Sequence, residues 1–131
     1  AKTFGNGLIG GISVSAISPR YYGCIGNHPI STVVYTDSSW YCNGELTPRG
    51  SQAQSSWVID VDAMLSYKVP VSVGDLTLKV DVFNVFNMDA VVDLREYGET
   101  GGIVGNADPN YLKPTLYQTP RRVRLSATYR F

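Results

Sequence analysis

No stretch of these 131 residues is apolar for long enough to make a membrane-spanning helix, which needs about 18 consecutive apolar side chains. An excess of one charge is missing as well. The 11 basic and 11 acidic residues cancel, so no field favours nucleic acid. His28 is the single histidine, too few imidazoles for a zinc site that wants four nitrogen or sulfur ligands. No nucleophile motif accompanies it, so no catalytic residue, metal or cofactor is expected and the chain is not read as an enzyme. Helical periodicity, internal repeats and low-complexity tracts are absent too. The chain opens Ala1-Lys2-Thr3-Phe4 with no initiator Met, charged leader or apolar leader core; either a leader has been removed or the chain is part of something larger, and the second is the expectation.

What is present is alternation. Val123, Leu125, Ala127, Tyr129 and Phe131 interleave with Arg124, Ser126, Thr128 and Arg130 without a slip. A strand has a side-chain period of two, so the first set shares one face and the second the other. Three further segments read the same way. Over about 4–18, Leu8, Ile12, Val14 and Ala16 oppose Ser13 and Ser15, although glycines blur the pattern, and Pro19 closes the segment. Over about 55–69, Trp57, Ile59, Val61, Ala63, Leu65, Tyr67 and Val69 oppose Val58, Asp60, Asp62, Met64, Ser66 and Lys68. Over about 76–87, Leu76, Leu78, Val80 and Val82 oppose Thr77, Lys79 and Asp81, with a slip at Phe83-Asn84-Val85-Phe86-Asn87 that marks a bulge or the strand end. The fourth strand is expected over about 118–131. Between them lie a long segment, 19–54, a short link, Pro70–Asp75, and a second long segment, 88–118, both long ones rich in turn residues.

Mean hydropathy is close to zero, at −0.06. That suits strands of which only half the side chains are apolar, and it fits a barrel as well as a water-soluble domain. The fold expected is all-β: an antiparallel transmembrane β-barrel of which this chain supplies the last four strands. Outer-membrane barrels alternate short periplasmic turns with long outer loops, so Pro70–Asp75 is expected inside and the 19–54 and 88–118 loops outside. Trp57 and Tyr67 share the apolar face ten residues apart. At about 3.3 Å per residue and a tilt of roughly 40° they span about 25 Å, the height of the apolar band in such barrels. With Tyr117 and Tyr129 they make up the expected aromatic girdle; Tyr, at 9 residues, outnumbers Phe, at 4, and suits a bilayer interface. Four strands cannot close a barrel, whose smallest members have about eight, so the strands are expected to join others.

The stretch Leu76-Thr-Leu-Lys-Val-Asp-Val-Phe-Asn-Val-Phe-Asn87, and after a long loop Tyr117-Gln-Thr-Pro-Arg-Arg-Val-Arg-Leu-Ser-Ala-Thr-Tyr-Arg-Phe131, resemble the C-terminal end of TonB-dependent outer-membrane receptors. Pro48-Arg49-Gly50-Ser51 leading into Trp57-Val-Ile-Asp-Val-Asp62 is similar to the Oar-like branch. The resemblance covers 48–131 well and 1–47 loosely. It implies a barrel of about 22 strands with a plug, and energy-coupled uptake of a scarce ligand such as a siderophore, cobalamin, sugar or peptide. The implied partners are the rest of the barrel and its plug, TonB through that plug, lipopolysaccharide and membrane lipid. Tyr129 and Phe131 match the C-terminal signal read by the barrel-assembly machinery. Neither plug nor TonB-contacting box has a counterpart in these residues. The implied location is the bacterial outer membrane.

Other features have plainer readings. Gly5-Asn-Gly7-Leu-Ile-Gly10 fits G-x-G-x-x-G, but a dinucleotide site needs a preceding strand and a following helix, and Ile12–Ile17 reads as strand. Cys24 and Cys42 are expected to form a disulfide, fitting an oxidising compartment. Asp60, Asp62, Lys79, Asp81, Arg122 and Arg124 are expected to pair across strands rather than to perform acid–base chemistry. Arg121 has lipopolysaccharide phosphate and plain solvation as alternative partners. Asp89, Asp93, Glu96, Glu99 and Asp108 match no EF-hand spacing and read as a solvated acidic loop. Tyr21, Tyr22, Tyr35, Trp40, Tyr97 and Tyr111 are candidate ligand contacts on loop position alone. Two other functions remain open: a structural or adhesive outer-membrane barrel, and a secreted β-sandwich in which the apolar faces meet each other.

Overall fold

A computed structural model of the chain describes residues 1–30 and 39–131. Among these are eleven strands in chain order: β1 Lys2–Thr3, β2 Leu8–Ile17, β3 Tyr21–Tyr22, β4 Tyr41–Cys42, β5 Glu45–Leu46, β6 Ala53–Gln54, β7 Val58–Val69, β8 Asp75–Phe83, β9 Val91–Leu94, β10 Pro114–Tyr117 and β11 Arg122–Arg130. One 3₁₀ turn, Gly5–Gly7, is the only helical element described. The strands divide between two compact units, one of 1–17, 59–89 and 119–131, the other of 18–58 and 90–118.

The first unit is a single open sheet with the order β1-β2-β7-β8-β11. β7 and β8 are antiparallel, with Leu65 opposite Val80 and Tyr67 opposite Leu78. β8 and β11 are antiparallel over their whole length, from Arg122 opposite Phe83 to Arg130 opposite Asp75. Gly7 lies against Lys68, Gly10 against Leu65 and Gly11 against Met64, so β2 also runs antiparallel to β7. No barrel closes among the described residues, and the sheet keeps two edges.

The ends of these strands have local causes. β8 stops at Phe83, short of the expected Asn87, because Asn84 and Asn87 both take left-handed conformations, φ 51° and 53°, which Asn tolerates better than most residues. The buried Asn84 side chain then ties the corner: Nδ2 donates to the Met88 carbonyl at 2.8 Å and to the Thr119 carbonyl at 2.9 Å, and Oδ1 accepts from the Met88 N–H at 2.9 Å. β11 starts at Arg122 rather than 118, because the residues before it are engaged elsewhere. Gln118 N–H donates to Ala90 at 2.8 Å, Pro120 has no N–H, and Arg121 N–H donates to Asn87 Oδ1 at 3.0 Å.

The second unit replaces the two expected loops. Its segments form three two-stranded ladders, β3–β6, β4–β5 and β9–β10, joined by single bridges such as Ile25–Tyr97 and Gly26–Ser39. Asn43 and Gly44, both at positive φ, make the two-residue connection of β4 to β5, the geometry that Asn-Gly favours in tight hairpins.

Candidate functional site

In the sheet unit, register turns alternation into rows. One face carries Ala63–Val82–Val123, Leu65–Val80–Leu125, Tyr67–Leu78–Ala127 and Val69–Leu76–Tyr129 across three strands. Nothing described covers these rows: Leu125 is 76% exposed, Val123 62% and Ile12 of β2 76%. An apolar surface of this extent on a soluble monomer is unusual. The opposite face carries Arg124–Asp81–Met64, Ser126–Lys79–Ser66 and Thr128–Thr77–Lys68.

The polar face is organised around Asp81. Its buried carboxylate accepts from Lys79 Nζ at 2.8 Å and from Arg124 Nη2 at 2.9 Å and Nε at 3.1 Å. Arg122 joins no acid among the described residues; it and Arg124 lie over the Phe83 ring, each guanidinium 5.3 Å from the centroid. Asp62 accepts the Asn84 N–H at 3.0 Å. Asp60 has one carboxylate oxygen with no hydrogen-bond partner among the described residues.

The four girdle residues fall in both units. Tyr67 and Tyr129 occupy neighbouring rows at the turn end of the sheet, where the Tyr129 hydroxyl donates to the Val73 carbonyl at 2.9 Å. The Phe131 ring lies 6.3 Å from that of Tyr129. Trp57 precedes β7 by one residue and belongs to the second unit. Tyr117 lies in β10, opposite Val91, and also belongs to the second unit.

In the second unit, Cys24 and Cys42 form the disulfide, with Cα atoms 6.1 Å apart. The candidate ligand contacts separate into distinct roles. Tyr22 is fully buried, and its hydroxyl donates to Asp93 Oδ1 at 2.8 Å. It is an internal support, sealed from any ligand in solution. The Trp40 ring lies against Gly23, and Tyr111 donates to the Gly23 carbonyl at 3.4 Å. Tyr21 and Tyr97 are exposed, the latter beneath Arg95 with the guanidinium 5.6 Å from the ring centre. Tyr35 lies outside the described residues.

The acidic segment is not simply solvated, because its carboxylates hold the unit together. Glu99 is buried; Oε2 accepts from Asn27 N–H at 2.7 Å, and Oε1 from Asn43 N–H at 2.7 Å and Gly105 N–H at 2.6 Å. Burial alone would raise its pKa, but the N–H groups of Asn27, Gly105 and Asn43 outweigh that and hold it below the usual carboxylate value. The buried Asp108 accepts the Asn110 N–H at 2.8 Å and pairs with Arg95 at 2.7 Å; both interactions lower its pKa. Sequence reading misses these anchors because their partners lie as far as 72 residues away.

Among the described residues no group of His, Cys, Asp and Glu is arranged to hold a metal ion. A surface groove lined by Arg20, Asp93, Arg95, Glu96, Tyr97 and Thr115 has its charges paired internally, Arg20 with Asp93 and Glu96 at 3.5 Å. No protein-family model matches the chain, and neither a curated protein nor a solved structure matches it.

Proposed function

We propose that this chain supplies C-terminal wall strands of a TonB-dependent outer-membrane receptor, which takes up a scarce ligand by energy-coupled transport. The observation that carries the reading is the set of apolar cross-strand rows, whose side chains from β2 to β11 are exposed among the described residues. Burying such rows in hydrocarbon yields about 25 cal/mol for each Å² of apolar surface. Leaving strand edges unpaired there costs several kcal/mol for each polar group, so the wall continues into neighbouring strands. The Asp81–Lys79–Arg124 cluster then faces the lumen, where charge is tolerated.

In this reading the 70–74 turn lies on the periplasmic side and the two long segments on the outer side. Their folding into a disulfide-tied unit suits an oxidising, exposed location. A β-sandwich needs a second sheet packed about 10 Å from the apolar face, and the described residues supply none. A structural or adhesive barrel shares every feature of the wall and differs in lacking transport.

Cell fractionation of the intact protein tests the membrane reading. Recovery with outer membranes, release only by detergent and heat-modifiable migration are expected. Recovery in the aqueous fraction without detergent contradicts it. Among barrels, loss of ligand uptake on deletion of TonB separates a transporter from an adhesin.

A further inference from the structure

The most informative unused feature is the outer edge of β11. Among the described strands β11 is last in the sheet order and bonds to β8 alone. It carries three arginines on its polar face, and one of them, Arg124, is engaged by Asp81. Arg122 stands opposite Phe83. Arg130 stands opposite Asp75, whose carboxylate already holds Lys68 Nζ at 2.6 Å. Arg122 therefore presents a cation with no carboxylate of its own among the described residues, and Arg130 shares the Asp75 carboxylate with Lys68.

We propose that this edge pairs with the next strand of the barrel wall, and that this strand carries carboxylates on its polar face opposite Arg122 and Arg130, with apolar side chains on the alternate positions. The inference rests on the membrane-wall reading above. The two positions are eight residues apart, about 26 Å along an extended chain.

Charge complementarity singles out this occupant. A second copy of β11, antiparallel and centred on Ser126, would set Arg122 against Arg130, and like charges directly opposed are destabilising. The other long edge of the same sheet offers no acid, since the corresponding positions of β2 are Gly11, Ser13, Ser15 and Ile17. An acidic partner strand removes the repulsion and satisfies the free backbone groups together. Register is fixed because a slip of one residue would turn its carboxylates to the apolar face.

The test uses the full chain in detergent micelles and three end-capped synthetic peptides that alternate polar and apolar residues. The first carries two Glu eight residues apart on the polar face. The second carries Lys at those positions. In the third the two Glu are moved one residue, onto the apolar face. The first is expected to bind about tenfold tighter than either of the others at low salt, to slow amide exchange across 122–130, and to lose its advantage as salt rises. Arg122→Gln with Arg130→Gln is expected to abolish the preference. The peptide comparison on the unaltered chain decides the matter should that variant misfold.

Equal binding of the Glu and Lys peptides, or protection outside 122–130, overturns the edge pairing. If the chain enters micelles with its apolar rows shielded but shows no charge preference, the wall reading stands and this inference falls. A chain that stays out of micelles overturns both.

Discussion

Gly98 lies directly on the Cys24–Cys42 disulfide. A β-carbon there would collide with Cys24 Sγ and come within 2.9 Å of Cys42 Sγ. Its N–H donates to Ile25 at 2.9 Å and its carbonyl accepts from Asp108 at 2.8 Å, so backbone from the second long segment is laid across the cross-link of the first. Only a residue without a side chain fits. Gly98→Ala is expected to destabilise the disulfide-tied unit by about 1–3 kcal/mol through overpacking. Both tryptophans, Trp40 and Trp57, belong to that unit, so their fluorescence during urea unfolding reports it. An unchanged midpoint would show that the glycine is not needed.

Glu99 sets an acid limit on the same unit. Its folded pKa lies below the ordinary carboxylate value, so its stabilising contribution is complete above that value, about 4.3, and is lost as pH falls through the folded pKa. Asp108 and Asp93 are lowered as well and add with the same sign. Stability measured through tryptophan fluorescence should be flat near neutrality and fall in the acid range. Glu99→Gln should reduce stability at neutral pH by about 1–3 kcal/mol, since its amide donors would face N–H groups, and should flatten the acid dependence. A variant with the full wild-type pH profile would contradict the role given to Glu99.

Asn84 holds the corner between β8 and the start of β11. Asn84→Gly keeps the positive φ and removes the side-chain bonds, isolating their contribution. Faster amide exchange at Met88, whose N–H loses its acceptor, is expected, with about 1–3 kcal/mol lost from the sheet unit. Asn84→Ala should cost more, because it adds backbone strain. Equal stability of the Gly variant and the parent would remove Asn84 from the account.

The two faces of β11 should respond differently to the same substitution. In the membrane reading Leu125→Arg places a cation in lipid and costs about 2–4 kcal/mol near mid-bilayer, whereas Ser126→Arg faces the lumen and costs far less. Folding yields into lipid vesicles compare them. Similar losses for both would mean that the faces are not divided between lipid and water.

Three of the four long strands, β7, β8 and β11, were legible because each repeats one rule over nine or more residues, while β2 alternates cleanly only over about 12–16. Val123 to Phe131 alternate without error, and the observed register confirms which side chains share a face. The strand ends were less legible. The slip at Phe83–Asn87 was visible, but its cause, two left-handed asparagines capturing Met88, Thr119 and Arg121, depends on residues more than thirty positions away. The disulfide-tied unit was read as loops because its strands are two to four residues long and carry no periodicity. Asn43-Gly44 was a local hairpin signal that could have been read. Tyr22 and Glu99 could not have been placed, since an internal hydroxyl or carboxylate looks like a loop residue until its distant donors and acceptors are known.

The measurement closest to the central claim is a nitroxide scan of positions 122–130 in the intact protein reconstituted into bilayers, read by collisions with oxygen and with a water-soluble nickel chelate. Oxygen, which concentrates in hydrocarbon, is expected to reach the odd positions 123, 125, 127 and 129, and the chelate the even ones, with a period of two. Odd positions immobilised and closed to both reagents would place those side chains inside protein, and the membrane account would fail.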